Sequence, residues 1–102
     1  WVSLGRIDEE MGPVVIKSKS HKFKKIKKFF HLKPNGGKVP AIKTDNINEE
    51  IYKHVSFPTN SGDVLLFDLK LVHRSGFNRS NNKVKWSAQA RYHIPIDLKN
   101  YN

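Results

Sequence analysis

The chain has 102 residues, of which 37% are hydrophobic and 11% aromatic, a composition typical of a single globular domain that can bury a core. It contains no cysteine, which excludes disulfides and thiolate metal sites, so any metal would be held by histidines and carboxylates. Apolar runs are short and no signal pattern opens the chain, which predicts a soluble, cytoplasmic protein without a membrane span.

The net charge of +10 comes from one segment. Between Met11 and Thr44 there are ten lysines and no acidic residue, whereas the remainder balances nine Lys/Arg with nine Asp/Glu. We call residues 17–43 the Lys-rich insert. The net charge of the whole chain therefore says nothing about the partners of the residues outside this insert.

The first third of the chain predicts two short strands and a helix. Residues 1–4 resemble the end of a strand, a polar turn closes at Gly12 and Pro13, and residues 14–16 form a β-branched run. Within the Lys-rich insert, apolar residues recur at helical spacing between lysines, which predicts a basic amphipathic helix built on Phe23, Ile26, Phe29 and Phe30. Turn-forming residues 33–37 end it.

The rest of the chain predicts more strands. Residues 45–54 have the pattern of a short helix capped by Asp45 or Asn46, and residues 55–57 form a strand that Pro58 ends. The strongest strand pattern of the chain lies at residues 64–67, and it resumes at residues 71–73 after Asp68. The last strand spans residues 85–94. Short strands separated by turns indicate an all-β sandwich or barrel.

The last strand has two different faces. One is apolar and carries Trp86, Ala88, Ala90 and Tyr92. The other is polar and carries Lys85, Ser87, Gln89 and Arg91. If the apolar face packs, the polar face either lines a barrel lumen that binds an anion or belongs to an edge strand with this side in water.

Residues 62–80, with the sequence GDVLLFDLKLVHRSGFNRS, deliver His73 from an apolar strand into a loop of small polar residues. A histidine in this position either ligates a metal at the mouth of a β-barrel or is an ordinary histidine at a strand end. The pattern of this stretch alone leaves both interpretations open.

Three blocks of sequence, at residues 1–22, 62–80 and 85–92, resemble the phytanoyl-CoA dioxygenase-type family of Fe(II)- and 2-oxoglutarate-dependent oxygenases. They match a strand tryptophan followed by Gly-Pro and Ser-His-Lys, the Gly-Asp to His-x-Ser stretch, and the Arg-Trp-Ser to Arg-Tyr strand. The resemblance implies that residues 1–102 are the C-terminal part of one double-stranded β-helix, a jelly-roll or cupin-like barrel, with the basic helical insert.

The resemblance also implies roles for single residues. His73 matches the distal histidine of the family's iron site, which takes Fe(II) and uses 2-oxoglutarate as cosubstrate to hydroxylate a small organic substrate. Lys85 stands where the family usually has the arginine that binds the far carboxylate of 2-oxoglutarate, and Ser87 matches a hydroxyl that shares it. Ser75 and Trp1 match positions that line the cosubstrate pocket.

Two departures from the family pattern affect these expectations. The His-x-Asp that supplies the other two iron ligands is absent from the sequence, so we expect a fragment that, isolated, neither binds iron tightly nor turns over. Because the position of this aspartate is missing from the sequence, a halogenating relative, in which the aspartate is replaced, also stays open. Lysine at position 85 keeps the charge of the family's arginine but loses its planar fork.

The Lys-rich insert has three interpretations. It is a solvated face, a lid at the active-site mouth that favours an acidic or CoA-linked substrate, or a patch for nucleic acid or anionic membrane. The patch for nucleic acid or anionic membrane is the least favoured, because the aromatic residues share one helical face. The rival function is a basic binding module on a non-catalytic barrel, and a cupin-like carbohydrate binder is a third. Substrate identity and oligomeric state are not predicted.

Overall fold

The computed structural model describes residues 1–23, 27–43 and 47–92. Seven short strands follow one another in these residues, which confirms the all-β class: β1 (Val2–Ser3), β2 (Val14–Lys17), β3 (Lys28–Leu32), β4 (Lys38–Ile42), β5 (His54–Phe57), β6 (His73–Ser75) and β7 (Ser87–Ala88). Two single-turn 3₁₀ helices span Glu9–Met11 and Ser20–Lys22. None of the described segments forms a helix long and apolar enough to cross a membrane.

A three-stranded antiparallel sheet in the order β5-β2-β6 occupies the centre. Its middle strand is the predicted β-branched run, and Ile16 lies opposite Val55 on one side and His73 on the other. Strand β1 pairs with β7, and β3 pairs with β4. In the described part of the chain these three sheets stay open rather than closing into a barrel, as suits a partial β-fold.

The core is small and lies beside the central sheet. Its buried apolar residues are Ile7, Met11, Val14, Ile47, Leu71 and Val72. Four polar residues are also buried, Ser3, Lys17, Ser20 and Thr59. Of these, Lys17 and Ser20 make side-chain hydrogen bonds to segments distant in sequence. The core therefore fixes the segment that leads into His73.

The predicted basic helix is wrong, because the Lys-rich insert contains a β-hairpin. Strands β3 and β4 pair antiparallel with Phe30 opposite Pro40, and the turn between them is closed by a 2.7 Å bond from the Lys33 amide to the Gly37 carbonyl. A helix would stack like charges three and four residues apart, whereas a strand places successive side chains on opposite faces. Ile26, one of the predicted helix residues, lies outside the described residues.

The predicted helix at residues 45–54 does not form in its described part, residues 47–54. One helical turn is closed by a 2.9 Å bond from the Tyr52 amide to the Asn48 carbonyl, and the Asn48 side chain accepts from the Glu50 amide. Strand β5 then begins at His54, so the chain has no room for a second turn. Asp45 and Asn46 lie outside the described residues.

Two predicted strands are shorter than the sequence suggested. Of residues 64–67, only Val64 forms a bridge, to Val2. Of residues 85–92, only β7 pairs with a neighbour, and residues 93 and 94 lie outside the described part. The condition that the apolar face of this strand packs is not met, since Trp86 is 66% and Tyr92 85% exposed. Beyond its short ladder with β1, no described element covers this face.

Candidate functional site around His73

His73 opens strand β6, and its ring orientation is set by its own chain. The Nδ1 atom lies 2.7 Å from the carbonyl oxygen of Leu71, and the imidazole packs on the Phe67 ring with centroids 4.7 Å apart. Because a carbonyl oxygen only accepts, Nδ1 carries a proton, and in the neutral imidazole the free lone pair is then on Nε2. A histidine held through Nδ1 in this way has the tautomer that ligates metals through Nε2.

The residue before His73 is held on both sides by β2 and the turn that follows it. The amide of Val72 donates to the buried Ser20 hydroxyl at 2.8 Å, and the carbonyl of Val72 accepts from the Lys17 amide at 2.8 Å. The Lys17 side chain is itself buried, and its ammonium donates to Glu49. These contacts give His73 a rigid base.

His73 lies at the boundary of two cavities. The larger, about 820 Å³, has mostly apolar walls contributed by β2 and β4, with Lys70 and Arg74 among its cations. The smaller, about 370 Å³, is lined by Trp1, Phe67 and the chain after β7. Both volumes lie in the range of small-molecule sites, and His73 lines both cavities.

The structure brings together only some of the residues predicted for cosubstrate binding. Trp1 and His73 both line the smaller cavity. Ser75 pairs with Val14 in the central sheet, and Ser87 pairs with Ser3 in the β1–β7 ladder. Among the described residues that line the two cavities, neither of these serines appears.

Lys85 is directed at backbone carbonyls. Its ammonium donates to the carbonyl oxygens of Gly12 and of Gly76, the latter at 3.1 Å, and partial burial lowers the pKa of this lysine. Like the two serines, Lys85 is not among the described residues that line the cavities. Its contacts join the turn before β2 to the loop after His73.

Two residues of the predicted polar strand face and one residue of the stretch after His73 also line the cavities. Gln89 and Arg91 line the smaller one, and Arg74 lines the larger. Alternation along the last strand already placed Gln89 and Arg91 on the polar face, so that signal was available. The contact between Phe67 and His73 depends on the turn between them, and no local pattern predicts it.

Across residues 1–23, 27–43 and 47–92, no group of three or more His, Cys, Asp or Glu side chains is gathered closely enough to hold a metal ion. Lys17 of β2 forms an ion pair with Glu49, which lies in the turn before β5, and His54 Nε2 is 3.9 Å from the same carboxylate. The hydrogen bond from Lys17 lowers the pKa of Glu49.

Residues 1–85 match the model of the phytanoyl-CoA dioxygenase (PhyH) family. The match covers strands β1 to β6, including His73, and ends at Lys85. No curated protein and no solved structure matches the chain. Because the family match spans most of the sequence, the chain belongs to the phytanoyl-CoA dioxygenase family, a family of Fe(II)- and 2-oxoglutarate-dependent oxygenases.

Proposed function

We propose that His73 is the distal histidine ligand of Fe(II) in a 2-oxoglutarate-dependent oxygenase that hydroxylates a small organic substrate. The observation that carries the proposal is the hydrogen bond from His73 Nδ1 to the Leu71 carbonyl, which leaves Nε2 as the ligating nitrogen. The family match covers this residue, and His73 lines two cavities.

The donor chemistry of His73 fits iron, since neutral imidazole is a suitable ligand for Fe(II). The proposal concerns this one ligand of the site. When bound, Fe(II) and 2-oxoglutarate supply the activation of dioxygen for substrate oxidation. The part played by the chain is orientation, because Leu71, Phe67 and the anchored Val72 hold the imidazole in one tautomer and one direction.

The larger cavity supports a substrate that combines an apolar body with an acidic group, such as a CoA-linked acid. Its walls include Val15, Phe23 and residues 40–42 of strand β4, which offer apolar surface, and Lys70 and Arg74 supply positive charge. Cations at a cavity raise the local concentration of anionic substrates. The hairpin of the Lys-rich insert is thus proposed as a wall of the substrate entrance.

A Mn(II) titration of the full 102-residue chain, followed by NMR, tests the ligand assignment. Paramagnetic broadening is expected to centre on His73 and its neighbours Phe67 and Leu71, with weak affinity because the proposal assigns a single ligand. The variant His73→Ala is expected to lose the broadening, and the matched control His54→Ala to keep it. Broadening that persists in His73→Ala contradicts the assignment.

The expectation of an inactive fragment has its own test. An Fe(II) titration with 2-oxoglutarate is expected to give neither tight binding nor turnover in the isolated chain. Affinity of about micromolar, together with succinate formation that depends on 2-oxoglutarate, would show instead that the 102 residues complete an iron site by themselves.

A second candidate is a module that binds an anionic surface through the hairpin. Phe30 and Leu32 are 69% and 64% exposed, and alternation places both on one face of β3. Exposed lysines flank them in sequence at positions 27, 33, 38 and 43. A steep loss of binding to DNA or to anionic vesicles as salt rises is the result expected for this module, and no binding at low salt removes it.

A further inference from the structure

The hairpin of β3 and β4 carries an exposed apolar strip on one of its faces. Residues directly opposite each other in an antiparallel pair share a face, so Phe30, Leu32 and Pro40 lie on the same side. Phe30 and Leu32 are 69% and 64% exposed, and Pro40 is exposed as well. Large apolar side chains grouped in this way are typical of a contact surface.

Four lysines, which we call the flanking lysines, stand at the two ends of this apolar strip. At the open end of the hairpin, the amide of Lys43 donates to the Lys27 carbonyl at 2.9 Å, which places these two residues side by side. At the turn, Lys33 follows β3 and Lys38 begins β4. All four are exposed, and residues 12–43 include no acid. The apolar strip therefore lies between cations at both ends.

The residue types of the Lys-rich insert favour a lipid surface over nucleic acid. All ten of its basic residues are lysines, whereas arginine is the residue whose planar guanidinium stacks on bases and donates two hydrogen bonds to one phosphate. Leu32 and Pro40 are aliphatic, so they offer hydrocarbon contact and no ring on which a base stacks. A lysine beside such a strip lays its methylene stem along apolar surface and keeps its ammonium at the level of anionic headgroups.

From these observations we propose that the hairpin of β3 and β4 binds an anionic lipid surface. Phe30 and Leu32 insert at the boundary between headgroups and acyl chains, and the flanking lysines contact the anionic headgroups. The inference rests on the second candidate function for the anionic-surface module, whose partner it names, and it is independent of the iron ligand. Both kinds of contact are needed, because one weak apolar anchor alone gives only marginal, reversible membrane binding.

The test uses the full chain, ¹⁵N-labelled, and unilamellar vesicles at about 0.1 M salt, where charges more than about 10 Å apart are largely screened. Vesicles of phosphatidylcholine alone are compared with vesicles of phosphatidylcholine mixed with phosphatidylserine. We expect sedimentation to show roughly tenfold or more tighter binding to the mixture, since each lysine near an anionic surface contributes a factor of about five. A spin-labelled lipid in the mixture is expected to broaden the amide signals of β3 most strongly.

Charge substitutions test the flanking lysines. Lys33→Gln/Lys38→Gln is expected to weaken binding to the anionic vesicles about 25-fold, which is about fivefold for each lysine. The matched control is Lys53→Gln/Arg79→Gln, which removes the same charge from exposed positions outside the Lys-rich insert. Screening is expected to limit its effect to less than about twofold. An equal loss in the two variants would show that net charge alone attracts the chain, and it would overturn the assignment to the hairpin.

Apolar substitutions test the insertion. Phe30→Ser/Leu32→Ser is expected to lose the broadening and to weaken binding roughly tenfold or more, because the variant no longer removes two large apolar side chains from water. The control Phe77→Ser/Val84→Ser, at positions that are 80% and 66% exposed outside the hairpin, is expected to keep both. If the hairpin variant does not fold, the broadening profile of the wild-type chain decides, because the inference requires its maximum in β3.

Three further results overturn the inference: strongest broadening outside the hairpin, tighter binding to duplex DNA than to the anionic vesicles at the same salt, or lipid-free self-association that Phe30→Ser/Leu32→Ser abolishes. Tighter binding to DNA retains the anionic-surface module and refutes only the lipid partner. Absence of binding to both DNA and vesicles refutes the module as well. The Mn(II) experiment on His73 contains neither lipid nor DNA, so its outcome is separate from all of these.

Discussion

The buried hydroxyl of Ser20 accepts a hydrogen bond from the amide of Val72, at 2.8 Å and across 52 residues of chain. Ser20 is 0% exposed, so its loss leaves an amide that no water can reach. An unsatisfied buried donor costs about 1–3 kcal/mol. We expect Ser20→Ala to lower the free energy of unfolding by that amount in urea melts, and exposed Ser61→Ala to have little effect. Equal effects of the two variants would contradict this account.

Gly76 tolerates no side chain at its contact with the turn before β2. A Cβ at this position would lie within 2.9 Å of the Pro13 carbonyl oxygen, and backbone atoms cannot move aside as a flexible side chain does. We expect Gly76→Ala to destabilise the chain by about 1–3 kcal/mol, as overpacking does. Gly5→Ala is the control, because nothing lies within 4 Å of a Cβ there. Thermal unfolding of both variants, followed by circular dichroism, measures the difference.

The ion pair between Lys17 and Glu49 is asymmetric. Lys17 is 3% exposed, whereas the Glu49 side chain is 63% exposed. Removing Glu49 strands a buried charge, while removing Lys17 leaves a carboxylate in water. We therefore expect Glu49→Gln to lower the melting temperature at pH 7 more than Lys17→Met does. The reverse order would indicate that the lysine is not buried as described.

Two carboxylates link stability to pH in the acid range. A hydrogen bond from Lys83 holds the pKa of Asp8 below its ordinary 3.8, and one from Lys17 holds the pKa of Glu49 below its ordinary 4.5. Because folding lowers both values, their contribution is complete at pH above about 4.5 and is lost as the pH falls through the lower folded values. The Glu49 side chain is exposed and that of Asp8 is partly exposed, so solvent screening keeps the effect small.

The acid limb of a stability–pH profile measures this linkage. The double variant Asp8→Asn/Glu49→Gln is expected to lose less stability than the wild-type chain between pH 5 and about pH 2.5. Glu50→Gln, at an exposed neighbouring acid, should follow the wild-type profile. A double variant with the wild-type slope would show that these two groups do not carry the pH dependence.

Several elements were predictable because their signals are local. The β-branched run at residues 14–16 and the strand at residues 55–57 both form, as β2 and β5. The strand expected at residues 71–73, with His73 at its end, is displaced, because β6 begins at His73 and pairs through Ser75. Among the candidate cosubstrate residues, Trp1 lies in the smaller cavity with His73, while the roles of Lys85, Ser87 and Ser75 stay predictions from the resemblance.

The hairpin was not predictable from periodicity. Phe23, Phe29 and Phe30 fit a helical spacing as well as they fit a strand, and the deciding partner, strand β4, lies beyond a turn. Similarly, alternation in the sequence places Trp86 and Tyr92 on one apolar face, but both side chains are largely exposed. Local pattern specifies which faces are apolar and leaves open what covers them.

The sequence by itself determined the all-β class, the family and the position of the candidate ligand, because strand propensity, turn residues and motif spacing are properties of neighbouring residues. Tertiary structure alone decided which groups Lys85 contacts. The carbonyls of Gly12 and Gly76 engage Lys85, whereas the Leu71 carbonyl that orients His73 is a local partner in the chain. The Lys85 contact with Gly12 joins residues 73 positions apart, a separation at which only packing, and no local propensity, selects the partner.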